Sequence, residues 1–325
     1  MKAKAIVLRG HGGIEMLQIQ DIDLAPPAAG EVRLRHTAIA VNFHDCYVRS
    51  GLYQTLALPG IPGLEAVGVV EAVGEGVVDL RPGDRVGWVT PSYGGYATHR
   101  NLPAALALPL PDRISDAQAA ASMVKAFTAH ILVQTSHAVK SGQMILVHAA
   151  AGGVGQMLTR WCKHLGAIVI GTVGDAQKAE TAGKMGADHV ILYREEDFVA
   201  RVREISSGNG VSAVYDAVGA DTFAGSLSCL AYGGTLVSYG QSSGAVAPVR
   251  LPDLAEKSLV LTRPIIFHFI RTREQLECVA AAAFSALEQR FIKPINPLVL
   301  PLEQAGKAHA LMESRQSPGG IVLVP

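Results

Sequence analysis

Hydrophobic positions change their spacing along the chain near Asp112. Before that point apolar residues come in short β-rich runs, separated by turn sequences such as Pro26-Pro27, Arg81-Pro82-Gly83-Asp84 and Gly94-Gly95. The runs are AIVL (5–8), VRLRHTAIAV (32–41), AVGVVEAVG (66–74) and DRVGWV (84–89). Short strands with dense turns are typical of an all-β, barrel-like unit.

Beyond Asp112 the pattern changes to helices and then to alternating strands and helices. The Ala-rich segment over 116–138 favours a helix. From 144 onward, apolar runs without polar alternation predict βαβ units and a parallel sheet covered by helices on both faces. The predicted strands are 144–148, 167–172, 189–192, 213–216 and 235–239, and the predicted helices are 155–165, 176–185, 198–206 and 222–229.

The tail predicts two more helices, at 273–290 and 302–314, and a last strand, IVLV, at 321–324. We expect this tail to return and complete the N-terminal β unit. The fold class is therefore α/β, with one mostly β domain from 1–120 plus 265–325 and a doubly wound parallel sheet over 121–264.

The amino-acid composition restricts the kinds of partner that we expect the protein to bind. Lys plus Arg and Asp plus Glu both number 28, so the net charge is zero and no basic field attracts nucleic acid or anionic lipid. No apolar run approaches the roughly 20 residues of a membrane span, and the first ten residues have charges where a signal peptide is apolar. We therefore expect a cytoplasmic protein that acts on a small molecule.

The cysteines Cys46, Cys162, Cys229 and Cys278 include no CxxC pair. This spacing argues against a disulfide framework and against a zinc cluster, and it favours reduced, packed thiols.

A nucleotide fingerprint follows the first predicted strand of the parallel sheet. Residues 150–155, Ala-Ala-Gly-Gly-Val-Gly, fit A-x-G-x-x-G between a strand and a helix. Gly152 would let the backbone approach a pyrophosphate, Gly155 would allow close packing of helix on strand, and the helix N-terminus would offer N–H groups. A tight glycine turn is the alternative for the string alone, but the strand and helix around it favour the fingerprint.

The end of the second strand, 171–178, bears on the choice of cofactor. An NAD enzyme places an acid there, whereas this strand ends in glycines with Lys178 one turn further on. Lys178 could pair with a 2′-phosphate, which favours NADPH. Two alternatives stay open: Asp175 is the helix N-cap with Lys178 solvated, or Asp175 points into the site and opposes the phosphate.

Taken together, these motifs resemble the zinc-independent NADPH:quinone oxidoreductase branch, related to zeta-crystallin, of the medium-chain dehydrogenase/reductase superfamily. The resemblance spans nearly the whole chain. It rests on HGGIEMLQ (11–18), AVNFHDCYVRSGLY (40–53), GDRVGW (83–88), HAAAGGVG (148–155), GTVGDAQKA (171–179), YREED (193–197), YDAVG (215–219), SYGQSSG (238–244), TRP (262–264) and ESR (313–315).

The resemblance implies a GroES-like catalytic domain, a Rossmann domain, a cleft that joins them and a homodimer. It also implies an NADPH site in which Lys178, Tyr193 and Arg315 surround the 2′-phosphate. The residues implied for it are Asn42, Tyr47, Thr128, Gly153, Val154, Gly174, Lys178, Tyr193, Gly219, Ser242 and Arg315. The glycine fingerprint adds Gly152 and Gly155 to this predicted NADPH site.

The resemblance also implies that no metal is bound. Zinc-dependent alcohol dehydrogenases of the superfamily have a Cys in the segment matching 41–45 and a His before a Glu, whereas this chain has Asn42 and Leu64-Glu65. The residues 88–105 contain no Cys for a structural zinc lobe. A catalytic zinc ion would therefore lack its N and S ligands.

A quinone accepts hydride readily because its product is aromatic, so the protein needs only to position it and supply a proton. The candidates for this role are Tyr47, Tyr53, Asn42 and Arg263. Each tyrosine could instead be a half-buried anchor, Arg263 a structural ion-pair member and Glu65 a structural carboxylate. His44 is interpreted as a local cap or core residue.

Three functions compete. The leading one is NADPH-dependent reduction of quinones or other conjugated carbonyls. An enoyl or double-bond reductase would use the same fold and cofactor with a different cleft shape. A crystallin-like protein that binds NADPH with little turnover is the third, and the cleft's polar residues argue against it.

Overall fold

The computed structural model of the chain describes residues 1–314 and 319–325. It divides the chain into two compact units. The first unit comprises Met1–Val124, Ile270–Glu288 and Pro294–Pro325, and the second comprises Lys125–Phe269 and Gln289–Lys293. The boundaries thus lie a few residues later than the predicted ones, and the short segment 289–293 of the tail joins the second unit instead of the first.

The first unit is built mainly on antiparallel strands. They are β1 Lys2–Leu8, β2 Leu17–Asp23, β3 Glu31–Val41, β4 Glu65–Val73, β5 Arg85–Val89, β6 His99–Pro103, β7 Leu108–Pro109, β14 Leu298–Pro301 and β15 Ile321–Val324. The main sheet has the order β14-β15-β3-β4-β5-β7, with β6 also paired to β3, and β1 and β2 form a separate pair. The register places Ile321 opposite Val41, so the chain's last strand completes the sheet begun by its third. Trp88, Tyr96 and Leu102 lie fully buried in its core.

Helices complete the first unit and lead into the second. They are α1 Phe43–Ser50, α2 Asp116–Ile131, α8 Arg273–Glu288 and α9 Ala305–Glu313. Helix α2 contains the boundary between the units and continues as a π-helical turn over Leu132–Ser136, so the predicted helix over 116–138 is regular only in its first part.

The second unit is a parallel sheet of order β10-β9-β8-β11-β12-β13. Its strands are β8 Met144–Val147, β9 Ile168–Val173, β10 His189–Leu192, β11 Val211–Asp216, β12 Leu230–Ser238 and β13 Val260–Thr262, and its helices are α3 Gly153–His164, α4 Ala176–Lys184, α5 Phe198–Ile205, α6 Phe223–Cys229 and α7 Leu251–Ala255. The predicted strands and helices agree with β8 to β12 and α3 to α6 at all but their ends. This is the doubly wound α/β arrangement that the sequence predicts.

The strand order of this sheet reverses at β8, which lies between β9 and β11. In such sheets ligands bind outside the carboxyl ends of the strands, beside the reversal. The segments that follow β8, β9, β10, β11 and β12 all leave the sheet at that edge, because the strands are parallel. They contain most of the predicted NADPH-binding residues.

Within residues 1–314 and 319–325, every helix is too short or too polar to cross a bilayer.

Candidate active site

The glycine turn after β8 has the shape that the fingerprint predicts. Gly152 is the N-cap of α3, and its N–H donates to the Ala149 carbonyl at 2.8 Å. A Cβ added to Gly155 would lie 2.2 Å from the Ala149 oxygen and 2.9 Å from the Ala150 Cα. Only glycine fits at position 155, so α3 begins close against the strand and presents its first N–H groups, those of Gly153 and Val154 included, at the sheet edge.

A series of buried side chains, joined by hydrogen bonds, supports this turn. His148 bonds Thr172 through Nδ1 at 2.8 Å and Ser226 through Nε2 at 3.0 Å. The Ser226 hydroxyl donates to Asp216 at 3.0 Å, and Asp216 also accepts from the Gly219 N–H at 3.1 Å. Burial lowers the pKa of His148, and the charge of Asp216 opposes this shift. The four side chains join the turn after β8 to the loop after β11.

The loops after β11 and β12 pack against each other. Gly219 has a φ of 92°, and a Cβ there would lie 2.8 Å from the Gly244 carbonyl oxygen. The Ser242 N–H donates to the Ala217 carbonyl at 3.2 Å. Gly219 and Ser242, both expected to bind NADPH, therefore lie on two loops that hold each other at the carboxyl edge of the sheet.

Arg263 follows β13 and bonds the end of β12. Its Nη1 donates to the carbonyl of Ser238 at 3.0 Å and to that of Gly240 at 3.2 Å. Nη1 also donates to the Ser238 hydroxyl at 3.3 Å, so Arg263 clamps β12 and the loop that follows it. Through these hydrogen bonds Arg263 supports the loop that contains Ser242.

At the end of β9, Asp175 takes the N-cap role of the first alternative, with Lys178 ion-paired to its carboxylate. Its carboxylate is the N-cap of α4 and accepts from the Lys178 N–H at 2.9 Å, and it also lies 3.1 Å from the Lys178 ammonium. The backbone N–H of Lys178 is the main cause that lowers the pKa of Asp175, and the ammonium of Lys178 and the charge of Arg194 act in the same direction. Lys178 is thus ion-paired at the surface.

Arg194 is a cation at this edge that the sequence reasoning missed. A Cβ added to Gly174 would lie 3.1 Å from the Tyr193 hydroxyl and 3.4 Å from the Arg194 Nε. Gly174, Tyr193, Lys178 and Arg194 therefore gather where β9 and β10 end. The signal was present in the YREED motif, but spacing alone did not show that residue 194 reaches back over Gly174.

Asn42, in the first unit, is held by two carboxylates. It is the N-cap of α1, its N–H donates to Asp45 at 2.8 Å, and its side-chain amide donates to Glu65 at 2.8 Å. Glu65 also accepts from the Val124 N–H at 3.0 Å. Burial raises the pKa of Asp45 to about 7, and the nearby charge of Glu65 adds to this shift.

Tyr47 and Tyr53, two of the residues that the sequence predicts for the site, lie in contact with each other. Their rings meet edge to face with centroids 5.0 Å apart, and both are half-buried. The Tyr53 N–H donates to the Tyr47 carbonyl at 3.0 Å, which fixes the turn after α1. Thr128 is half-buried in α2, and Arg315 lies outside the described residues.

The positions of the expected zinc ligands do not suit a metal. The Asn42 amide is bonded to Glu65, and the buried Leu64 side chain offers no donor atom. In the described part of the chain, no three His, Cys, Asp or Glu side chains group in a way that could hold a metal ion. Zinc prefers His and Cys ligands, and neither position supplies one.

We therefore expect activity to survive exhaustive chelation. After dialysis against EDTA, the rate should stay within experimental error of that of the untreated protein, since neither position supplies a zinc ligand. Metal analysis of the same samples is the control. Stoichiometric zinc together with loss of activity on its removal would overturn this expectation.

Two protein-family models match the chain. The alcohol dehydrogenase GroES-like domain matches residues 28–112, and a family described as zinc-binding dehydrogenase matches residues 153–285. The first match lies in the first unit and the second lies mostly in the second unit.

Full-length relatives are also found. The chain is 44% identical to quinone oxidoreductase 1 of Escherichia coli strain K12, over 99% of this chain and 100% of that protein. It is 40% identical to a 2-haloacrylate reductase of Burkholderia sp, over 99% of this chain and 98% of that protein. A crystal structure of the Escherichia coli quinone oxidoreductase complexed with NADPH superposes with a TM-score of 0.96 at 44% identity, covering 99% of this chain and 100% of that one.

Proposed function

The chain belongs to the quinone oxidoreductase branch of the medium-chain dehydrogenase/reductase superfamily, and we propose from this membership that it reduces quinones with NADPH and without a metal. The observation that carries the proposal is the full-length similarity, at 44% identity and a TM-score of 0.96, to an enzyme solved with NADPH. The glycine turn, the α3 N-terminus and the cations after β9 and β10 supply the groups that this cofactor needs.

Bound NADPH supplies the hydride. The turn at 152–155 would hold the pyrophosphate through backbone N–H groups, and Lys178 and Arg194 would meet the 2′-phosphate. Asn42, fixed by Glu65, orients the reacting groups, and Tyr47 and Tyr53 hold the acceptor. The acceptor's oxygen takes its proton from a hydroxyl at this site or from water. This division of roles between residues is part of the proposal.

The substrate is a small molecule, and quinones are the acceptor class we propose. The 2-haloacrylate reductase relative is the observation that favours conjugated double bonds as a second class. NADPH consumption against a panel of quinones, enones, haloacrylates and aldehydes separates the two. The proposal expects the highest kcat/KM with quinones. A clear preference for activated alkenes would contradict it, and NADPH binding without turnover of any acceptor would favour the crystallin-like alternative.

Tyr47→Phe tests the proposed hydroxyl donor. The variant keeps the ring that packs on Tyr53 but loses the hydroxyl, whose single neutral hydrogen bond is worth about 0.5–1.5 kcal/mol. We expect quinone turnover to fall roughly two- to tenfold while the Kd for NADPH changes little. Tyr232→Phe, at an exposed tyrosine of β12, is the matched control. An unchanged rate with several acceptors would remove the hydroxyl from the mechanism.

We also propose a cytoplasmic homodimer. In the described part of the chain, β13 is the last strand on its side of the parallel sheet, and edge strands offer backbone groups for pairing. Val260 on this strand is 51% exposed, and Leu251 and Ile265 nearby in sequence are 81% and 47% exposed. Light scattering that gives the mass of one chain would contradict the dimer, and cell fractionation tests the compartment.

A further inference from the structure

Three hydrogen-bonded polar side chains of the first unit lie against the ring of Tyr53. The Nε2 atom of His44 is 2.8 Å from the Tyr93 hydroxyl, and the same hydroxyl bonds Thr55. The His44 ring meets the Tyr53 ring edge to face at 5.3 Å, and Tyr53 meets Tyr47 in the same way. Thr55, Tyr93 and His44 thus form a hydrogen-bonded chain that ends against the aromatic pair proposed to hold the acceptor.

Tyr93 is held in a strained backbone conformation. Its φ is 56°, in the left-handed region that a bulky side chain rarely adopts, and its side chain is 2% exposed. The surrounding loop is braced, because Gly94 donates to the Ile61 carbonyl at 2.9 Å and Arg100 donates to the Ser92 hydroxyl at 2.7 Å. Such strain persists where neighbouring contacts over-determine it, and it clusters at functional sites.

The contact between His44 and Tyr93 is a bond between neutral groups. Burial lowers the pKa of His44 to about 4 and raises the pKa of Tyr93, so neither group is charged at neutral pH. Because neither partner carries a net charge, the main effect of this bond is geometric: it restricts the plane of the imidazole. That plane in turn limits where the Tyr53 ring can lie.

We propose that Tyr93 is a positioning residue for acceptor reduction, which acts through His44 to hold the Tyr53 ring in its working orientation. This inference rests on the proposed function, because it assigns Tyr53 to the acceptor. Rates of transfer between bound groups depend steeply on their orientation, so a small shift of this ring lowers kcat.

Tyr93→Phe tests the inference. The variant keeps the buried ring and removes the hydroxyl that His44 and Thr55 share. We expect kcat for quinones to fall about five- to tenfold, with acceptor KM changed less than about twofold. The Kd for NADPH, measured by fluorescence titration without acceptor, should be unchanged.

Tyr215→Phe is the matched control for loss of a buried hydroxyl. Tyr215 is fully buried in the second unit, and its hydroxyl donates to the carbonyls of Leu132 and His137 at 3.3 and 3.2 Å. It should lower the melting temperature about as much as Tyr93→Phe does while keeping the wild-type kcat.

A double variant, His44→Phe with Tyr93→Phe, separates positioning from stability. It removes both partners of the bond together, so stability should recover relative to Tyr93→Phe. A stable double variant with low kcat supports the proposal. Recovery of kcat along with stability, or a wild-type kcat in Tyr93→Phe, overturns it while the proposed function stands. Wild-type enzyme that does not reduce quinones with NADPH overturns both.

Discussion

Gly155→Ala is expected to abolish measurable NADPH binding and to lower the free energy of unfolding by roughly 3 kcal/mol or more. The reason is steric: the added Cβ would lie 2.2 Å from the backbone oxygen of Ala149, which has no freedom to swing away as a flexible side chain would. Helix α3 would have to move off β8 and take its first N–H groups with it. Chemical denaturation and NADPH fluorescence titration measure the two losses.

Gly183→Ala is the control for this prediction. Gly183 is exposed in α4, and a Cβ there meets nothing within 4 Å. The same substitution should therefore raise stability by about 0.5–1 kcal/mol, since alanine favours the helix. NADPH affinity should not change. A Gly155→Ala protein with wild-type stability and NADPH affinity would contradict the assigned role of the turn.

Lys178→Ala and Arg194→Ala are expected to weaken NADPH binding at least about tenfold each while changing NADH binding less than about twofold. A hydrogen bond to a charged group is worth about 1.5–3 kcal/mol, and the bonds proposed for these two cations would form only with the 2′-phosphate. Dissociation constants for both cofactors, measured at one ionic strength, give the comparison. Equal losses for NADH and NADPH would show that these cations support the fold instead of the phosphate.

Asp175→Asn removes a negative charge next to Lys178, whereas the two variants above each remove a positive charge. Asparagine keeps the N-cap acceptor of α4 but removes the negative charge that pairs with Lys178 and would repel a 2′-phosphate bound at Lys178. NADPH affinity should rise several-fold, and NADH affinity should stay the same or fall. Weaker NADPH binding in this variant would show that Asp175 helps the site as a charged group.

The parallel sheet could be predicted because its strands are buried on both faces and read as unbroken apolar runs. Strand β13 was missed since it is only three residues long and its first residue is exposed. Strand β2 was missed for a related reason, because all seven of its positions are exposed or half-buried. Buried strands are therefore easier to predict from the hydrophobic pattern than exposed strands are.

The candidate site likewise has parts that could be predicted from the sequence and parts that could not. The glycine turn could be predicted because strand, turn and helix are contiguous in sequence. The bond between His44 and Tyr93 joins residues far apart along the chain, and nothing in their local spacing indicates it. His44 was accordingly interpreted as a cap or core residue. Asp175 shows a third case, in which the local N-cap alternative and the contact with Lys178 are both realised.

The most direct test of the account is an anaerobic single turnover of metal-free enzyme with one equivalent each of NADPH and a quinone, in the presence of EDTA. The account predicts one hydroquinone for each NADPH consumed, and a slower reaction when the transferred hydrogen at C4 of the nicotinamide is deuterium. Absence of hydroquinone, or turnover that appears only when zinc is added, would contradict it.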